Sequence, residues 1–305
     1  MFRRFGHPAL VAALIVATGG AFAVTEHLKL QPSPIRRTEV TKIFSPVCRC
    51  VTAQATIVFT LRRSDQVTLS IVRSNGDEVR RLIDHVQEPA GLLRAIWDGR
   101  DDTGRIVKDG SYFVQVHLAA EKWTRTLPNI IRVDTSPPTI KLVSAVPRTI
   151  SPDGDGHSDM VHIAFVRSEN ARVLLYVDGR LVERARLVAT KLDWHGKIAH
   201  RVRLGLHELT LRALDTAGNL SKPTAPFAVR VRILELKPTR IKTTAGKRFG
   251  VWISTDRTFV RWHFDGKSGR AWHRRLVLRA PFVSGWYRLL VRSGPYRASA
   301  VVVVR

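Results

Sequence analysis

The chain holds two cysteines, Cys48 and Cys50, both in the segment "FSPVCRC" with one arginine between them. Thiols this close can form a staple, exchange disulfides, or pair between chains. A catalytic thiol wants a histidine and an orienting partner, and the nearby sequence supplies neither. A metal site would need two more ligands. A bridge across one residue encloses almost no chain, so its effect is on loop shape rather than on the unfolded state. We take Cys48 and Cys50 as a disulfide candidate, with redox or intermolecular pairing as the alternative.

Carboxylates form the next group. "SPDGDGHSD" (151–159) sets Asp153, Asp155 and Asp159 at positions 1, 3 and 7 of a glycine-containing loop, which partly resembles a calcium loop. Position 5 is His157 and position 12 is Ala164, both poor for calcium, so capping of backbone N–H groups is the preferred reading. Calcium is the one cofactor the sequence raises. In "WDGRDDTGRIVKDG" the acids Asp98, Asp101, Asp102 and Asp109 can be imagined as an acid/base set. Each lies beside or close to a glycine, however, and turn formation explains them better.

The last 70 or so residues interleave Trp252, Trp262, Trp272 and Trp286 with arginines. Such interleaving can clamp anionic polymers or stack sugars. Alternation puts Trp262 with Val260 and Phe264 in a core, and the strand tryptophans are read as core. Trp272 and Trp286 sit near loop ends. The surface candidates for a polyanion or glycan are therefore Arg270, Trp272, Arg274, Arg275, Trp286 and Arg288.

The elements that must position these groups are strands. "VTLSIV" puts Val67, Leu69 and Ile71 on one face before Asn75-Gly76, a two-residue hairpin signal. "SYFVQVHL" turns Tyr112, Val114, Val116 and Leu118 inward. Asp178-Gly179 marks a second hairpin, and "HELTLRAL" carries Leu209, Leu211 and Leu214. Breaks fall at "VDTSPPT" (133–139) and "LELKPTR" (234–240). "SPVCRCVTAQATIVF" (45–59) also lies over "SPDGDGHSDMVHIAF" (151–165) without a gap. Ser45/Ser151, Pro46/Pro152, Ile57/Ile163 and Phe59/Phe165 coincide, and "WDGR" and "WHGK" follow in the same order. Two tandem copies of one β-domain are implied. In this register "CRC" replaces "GDG".

Charge is uneven. The chain has 50 Lys+Arg against 25 Asp+Glu, and residues 232–305 carry 17 basic against 3 acidic side chains. Such a domain attracts polyanions or anionic headgroups. At the N-terminus a basic leader precedes the apolar run "ALVAALIVATGGAFAV". It fits a secretory signal cleaved after Ala23, or an anchor with Arg3 and Arg4 held inside. Either places the rest outside the cytoplasm, where no nucleic acid is expected.

"VTLSIVRSNGDEVRRL" followed by "AGLLRAIWDGRDDTGRIVKDGSYFVQV" resembles the FlgD/Vpr-type Ig-like domain family over roughly residues 44–120. The shared features are the V-x-L-x-I strand, the V-R-x-L strand, W-D-G (Trp97, Asp98, Gly99), Gly104, and G-x-Y (Gly110, Tyr112). The resemblance implies an Ig-like sandwich used for structure or adhesion, with no catalytic residues to carry over. "SPDGDGHSD" resembles the opening of similar bacterial surface domains. The second copy departs at "WHGK" and lacks G-x-Y. No segment resembles the hook-capping assembly region, so no flagellar role is inferred.

The expected architecture is all-β: a leader or anchor (1–30), an FlgD-type Ig-like domain (38–133), a second Ig-like domain (137–232) and a small basic β-sandwich (233–305). The expected function is a non-enzymatic, envelope-associated interaction protein contacting anionic polymers or lipid headgroups. The alternative is a carbohydrate-binding accessory protein using the C-terminal tryptophans.

Overall fold

The computed structural model describes residues 6–30, 33–51, 53–272 and 274–305. The apolar leader forms α1 (Gly6–Leu30), whose side chains are described from Leu10 to Phe22 only. Among the described residues no helix is long and apolar enough to cross a membrane. Arg3 and Arg4 lie outside the described residues, as does the side chain at the Ala23 cleavage position. The chain divides into two compact units, residues 1–134 and 135–305.

Alternation builds the first unit. Its strands are β1 (Ile35–Val40), β2 (Ile43–Phe44), β3 (Ala55–Leu61), β4 (Asp65–Val72), β5 (Glu78–Glu88), β6 (Gly91–Trp97), β7 (Gly110–Leu118) and β8 (Trp123–Val133). They form a three-stranded sheet, β1-β3-β6, and a five-stranded sheet, β2-β8-β7-β4-β5, in which β2 runs parallel to β8. Every second residue of a strand points the same way. Ile57, Phe59, Val67, Leu69, Ile71, Val114 and Val116 are consequently sealed between the sheets. Gly76 takes φ 89°, the left-handed conformation that the tight β4–β5 turn requires.

The second unit contains two further cores. The first is built on β9 (Ile140–Val146), β10 (Thr149–Ile150), β11 (Val161–Arg167), β12 (Arg172–Val177), β13 (Arg180–Arg184), β14 (Lys191–Trp194), the short pair β15 (Lys197–Ile198) and β16 (Arg201–Val202), β17 (Gly205–Leu214) and β18 (Phe227–Val231). The second uses β19 (Glu235–Lys237), β20 (Arg240–Thr243), β21 (Arg248–Ser254), β22 (Val260–Phe264), β23 (Lys267–Ala271), β24 (Arg275–Arg279), β25 (Gly285–Ser293) and β26 (Tyr296–Val304). Their sheets are β14-β11-β9 with β10-β18-β17-β12-β13, and β19-β21-β24 with β20-β26-β25-β22-β23. In each a short strand pairs parallel with the last one, β10 with β18 and β20 with β26. All three sandwiches therefore share one strand order. The sequence shows two copies; the fold shows three.

Two residues sit differently from expectation. Leu214 faces away from the core and Ala213 is buried in its place, because alternation from Leu209 and Leu211 continues to 213. Trp252 is 55% exposed, since Val251 and Ile253 already take the inward positions of β21. Trp262 packs against its core as expected.

The same device closes the first two copies. Trp97 is fully buried, and its indole N–H donates to the Arg100 carbonyl at 2.9 Å. Trp194 does the same to Lys197 at 3.0 Å. The turn glycine then lies against the proline of the S-P segment: a Cβ on Gly99 would stand 2.8 Å from Pro46, and one on Gly196 would stand 3.1 Å from Pro152. The aligned S-P and W-x-G segments thus touch in three dimensions, which explains their common order.

A second device ties the start of the central strand to the preceding loop. The Tyr112 hydroxyl donates to the Lys108 carbonyl, four residues upstream, at 2.8 Å. The Tyr287 hydroxyl donates to the Val283 carbonyl at 2.9 Å. The middle copy lacks the tyrosine, and His207 serves instead. Its Nε2 lies 2.9 Å from the Arg203 carbonyl, four residues back, and its Nδ1 2.6 Å from the Asp178 carboxylate. His207 also meets Trp194 edge-on at 5.7 Å, much as Tyr112 meets Trp97 at 5.2 Å. Burial pushes the Asp178 carboxyl up, but hydrogen bonds from His207 and the Glu208 N–H outweigh it and hold Asp178 below the usual carboxylate range.

Gly99→Ala should cost about 2–4 kcal/mol, from left-handed backbone strain plus the Pro46 clash. Gly104→Ala, at φ 80° with open space around it, should cost about 1 kcal/mol. Amide exchange protection in β3 and β6 of the full chain measures both, and equal losses would refute the packing argument. Because its folded pKa is depressed, Asp178 stabilises above the ordinary carboxylate range, and that contribution is lost as pH falls through the lowered value. Asp178→Asn should therefore weaken β12–β17 protection at pH 7, with the difference from wild type shrinking in acid.

Candidate functional site

Three places gather chemistry-bearing side chains. The first is the loop after β2. Cys48 and Cys50 are joined by a disulfide with Cα atoms 5.3 Å apart. The Cys48 N–H donates to the Ser45 carbonyl and the Ala53 N–H to the Cys50 carbonyl, both at 3.3 Å, so the bridge sits in a short series of turns. Arg49 is exposed at its tip.

The second is the corresponding loop of the middle copy, 151–159. Ligand oxygens of Asp153, Asp155 and Asp159 lie within 4.8 Å of one another. Each already accepts a hydrogen bond. Asp159 takes the N–H groups of Gly154 and Gly156, both at 2.8 Å, and Asp155 takes that of His157 at 2.9 Å. Asp153, whose side chain is fully buried, receives Arg257 Nε at 2.6 Å, and Asp155 lies 4.0 Å from the same nitrogen. A guanidinium from the third sandwich thus pairs with two of the three carboxylates of this loop. Burial pushes Asp159 up, but the backbone donors outweigh it and hold its carboxyl below its ordinary value. Burial, reinforced by the neighbouring Asp153 and Asp155 charges, holds Asp256 above its own.

Of the acids of "WDGRDD", Asp98 and Asp101 form the turn and Asp102 ties it to the backbone of β5. Asp98 accepts the Arg100 N–H at 3.1 Å, and Asp102 accepts the Arg81 N–H at 3.2 Å. Asp101 accepts the Thr103 hydroxyl at 2.6 Å and the N–H groups of Thr103 and Arg105. The Thr103 hydroxyl, with those backbone donors, keeps Asp101 below the usual carboxylate range. These contacts use the carboxylates to shape a turn, not to face a cleft.

The third place is the surface of the last sandwich. Arg270, Trp286 and Arg288 lie on the outer face of its five-stranded sheet, while Arg275 is on β24 in the opposite sheet, with Arg274 just before it. The six surface candidates therefore do not form one patch. Trp272 and Trp286 are 61% and 70% exposed. Guanidiniums cover several ring faces: Arg240 stands 4.9 Å over Trp286, Arg275 5.4 Å over Trp252, and Arg270 5.3 Å over Phe259. Trp272 lies beside Phe259 at 6.4 Å. Trp252 and Arg240 were absent from the sequence-based candidates. Alternation within β21 is the signal that would have found Trp252.

Arg257→Met strands a buried carboxylate. In a double-mutant cycle with Asp153→Asn we expect a coupling of about 1–3 kcal/mol. It would be read as amide protection in the 151–159 loop and β22, and a coupling near zero would show the contact to be incidental.

No curated protein matches the chain. Among solved structures, fibronectin(III)-like modules of CbhA from Clostridium thermocellum align at 15% identity. They cover 64% of this chain and 94% of theirs, with a TM-score of 0.38. FlgD from P. aeruginosa aligns at 20% identity over 38% of this chain and 84% of its own, TM-score 0.24. A Ca2+-stabilised, ice-binding adhesin of an Antarctic bacterium aligns at 11% identity over 88% and 74%, TM-score 0.30. Residues 51–122 match the family described as FlgD Ig-like domain. That segment, which runs from the residue after Cys50 through β3–β7 to the turn after β7, is of the FlgD Ig-like type and makes up most of the first of three β-sandwiches of one strand order.

Proposed function

We propose that this chain is a non-enzymatic extracytoplasmic interaction protein. Its Ig-like sandwiches act as a structural stem, and its third domain contacts anionic polymers or surfaces of the cell envelope. The observation that carries the reading is the charge of residues 232–305, 17 basic against 3 acidic, on a domain with a core of its own. Charge of that density attracts polyanions over about a Debye length and is screened by salt. The Cys48–Cys50 disulfide supports an oxidising compartment, and the apolar N-terminal run supports export or anchoring. Tandem sandwiches with separate cores support a stem role.

The carbohydrate reading rests on Trp272 and Trp286. It is the weaker one, because a guanidinium already covers the Trp286 ring. Trp272→Ala should leave retention on anionic material unchanged.

Retention of the full chain on purified envelope polymer should be strong at about 50 mM salt and largely lost by about 500 mM. Absent or salt-insensitive retention would count against the proposal.

A further inference from the structure

Strand register in the third sandwich brings together four arginines that lie far apart in sequence. Arg270 is the cross-strand partner of Arg261, Arg261 of Arg292, and Arg292 of Arg297. All four are exposed on the face turned away from the core. They form one row across four adjacent strands, about 14 Å long at ~4.8 Å per step. Like charges directly opposite each other destabilise a sheet, and this row sets them opposite three times over. No ion pair among the described residues relieves it. Of the three acids in this sandwich, Glu235 is on β19 in the other sheet, while Asp256 and Asp265 are in loops. Asp155 and Asp256 line a hollow at one edge of the row together with Arg261 and Arg292, but no ion pair joins them to these arginines among the described residues. The remaining excess of positive charge is suited to a counter-charge from outside.

We propose that this row binds a linear phosphodiester polymer with a polyol rather than a nucleoside repeat, each phosphate lying between neighbouring guanidiniums. The inference rests on the anion-binding reading above and locates its site. Guanidinium forks match phosphate oxygens in a directed way that ammonium groups do not, and the row is arginine throughout. A hollow of ≈ 670 Å³ lies beside it, lined by Arg261, Arg270 and Arg292 together with Trp262, His263, Ser268 and Leu290. The next row of the sheet, which includes Ser299, Leu290, His263 and Ser268, carries no lysine or arginine. The four guanidiniums are thus a line beside a trough, which fits a chain better than a flat lipid surface. Bases would need free aromatic faces on which to stack. Near the row Phe259 is covered by Arg270 and Trp262 lies against the Gly269 backbone. Trp272, two residues beyond Arg270 and 61% exposed, is a single ring and gives successive bases no series of faces.

The test uses the full chain, poly(glycerol phosphate) as probe, and two charge-matched variants. Arg261→Gln/Arg292→Gln removes the centre of the row. Arg248→Gln/Arg279→Gln removes a cross-strand pair from the opposite sheet. The first should weaken binding at least about tenfold and flatten the slope of log affinity against log salt by about 1.4, two contacts at about 0.7 each. The second should change both much less. Equal losses from the two pairs would overturn the row while leaving the general anion reading intact, and absence of binding by the wild type would sink both. A single-stranded oligodeoxynucleotide of equal charge, or phosphatidylglycerol vesicles, binding as tightly as the probe would overturn the polyol assignment. Amide protection of β22 and β25 should not fall in the first variant, because two repelling charges are gone. If it does fall, Arg261→Lys/Arg292→Lys decides: it keeps the charge and loses the fork, so binding several-fold weaker upholds the proposal and unchanged binding overturns it.

Discussion

A polar tip on a large ring can be buried only where an acceptor waits for it, and the first two sandwiches are organised around that requirement. Trp97 and Trp194 supply the bulk that fills one end of their cores, and each indole N–H needs a carbonyl three residues on. To present that carbonyl the chain must turn immediately after the tryptophan, which requires a glycine in the left-handed region, Gly99 or Gly196. The glycine's bare face then allows Pro46 or Pro152 to approach, and the proline fixes the path of the loop leading into the next long strand. One buried hydrogen bond thus sets the turn, the turn sets the contact, and the contact places the loops at 46–51 and 152–159. The disulfide loop and the acidic loop occupy the same place in two copies because the same tryptophan device holds each.

Much of this was legible in the sequence, because the parts that repeat are local. S-P, the two-residue hairpins and W-x-G are short segments whose residue types state their backbone conformation. The third copy was hidden because it meets the same topology with other residues: it has no W-x-G, and its core end is filled by Phe249 and Phe264 at 5.3 Å. Its one surviving signal is G-W-Y at 285–287, the counterpart of G-S-Y at 110–112, whose tyrosine makes the same bond to a carbonyl four residues back. The middle copy has no tyrosine at this place. G-L-H at 205–207 supplies it with an imidazole, a change of chemistry that keeps the geometry and adds a carboxylate partner in Asp178. A search for a residue type misses this; a search for a buried ring with a polar tip finds it.

The arginine row shows the opposite limit. Within a hairpin, register follows from the turn, so Arg261 opposite Arg270 and Arg292 opposite Arg297 can be worked out around Asp265-Gly266 and Gly294-Pro295. Joining the two hairpins takes the β22–β25 pairing, and nothing local fixes that alignment. The sequence showed the amount of charge in the last domain, but the long-range pairing decides whether it is spread or drawn into a line. That pairing sets Arg292 and Arg297 beside Arg261 and Arg270, while Arg275 lies on the other sheet.

Three sandwiches with separate cores also explain how one domain can hold so much of the excess charge. The aromatic tie and the core residues of each copy are its own, so outer faces can diverge without disturbing a neighbour's interior. The first copy uses its solvent face for ordinary ion pairs such as Arg81 with Glu78 and Asp84. In the last copy the outer face of the five-stranded sheet lacks such partners, and arginines cap exposed rings instead. Among the described residues the ion pairs of this copy with carboxylates are made by Arg257, which turns into the acidic loop of the middle copy and reaches Asp153, whose side chain is fully buried. A guanidinium that pairs with that loop is withdrawn from the surface, while the unpaired row stays on it. The same residue type therefore serves cohesion where an acid faces it and leaves a standing field where none does, and register, not composition, assigns each arginine to one task or the other.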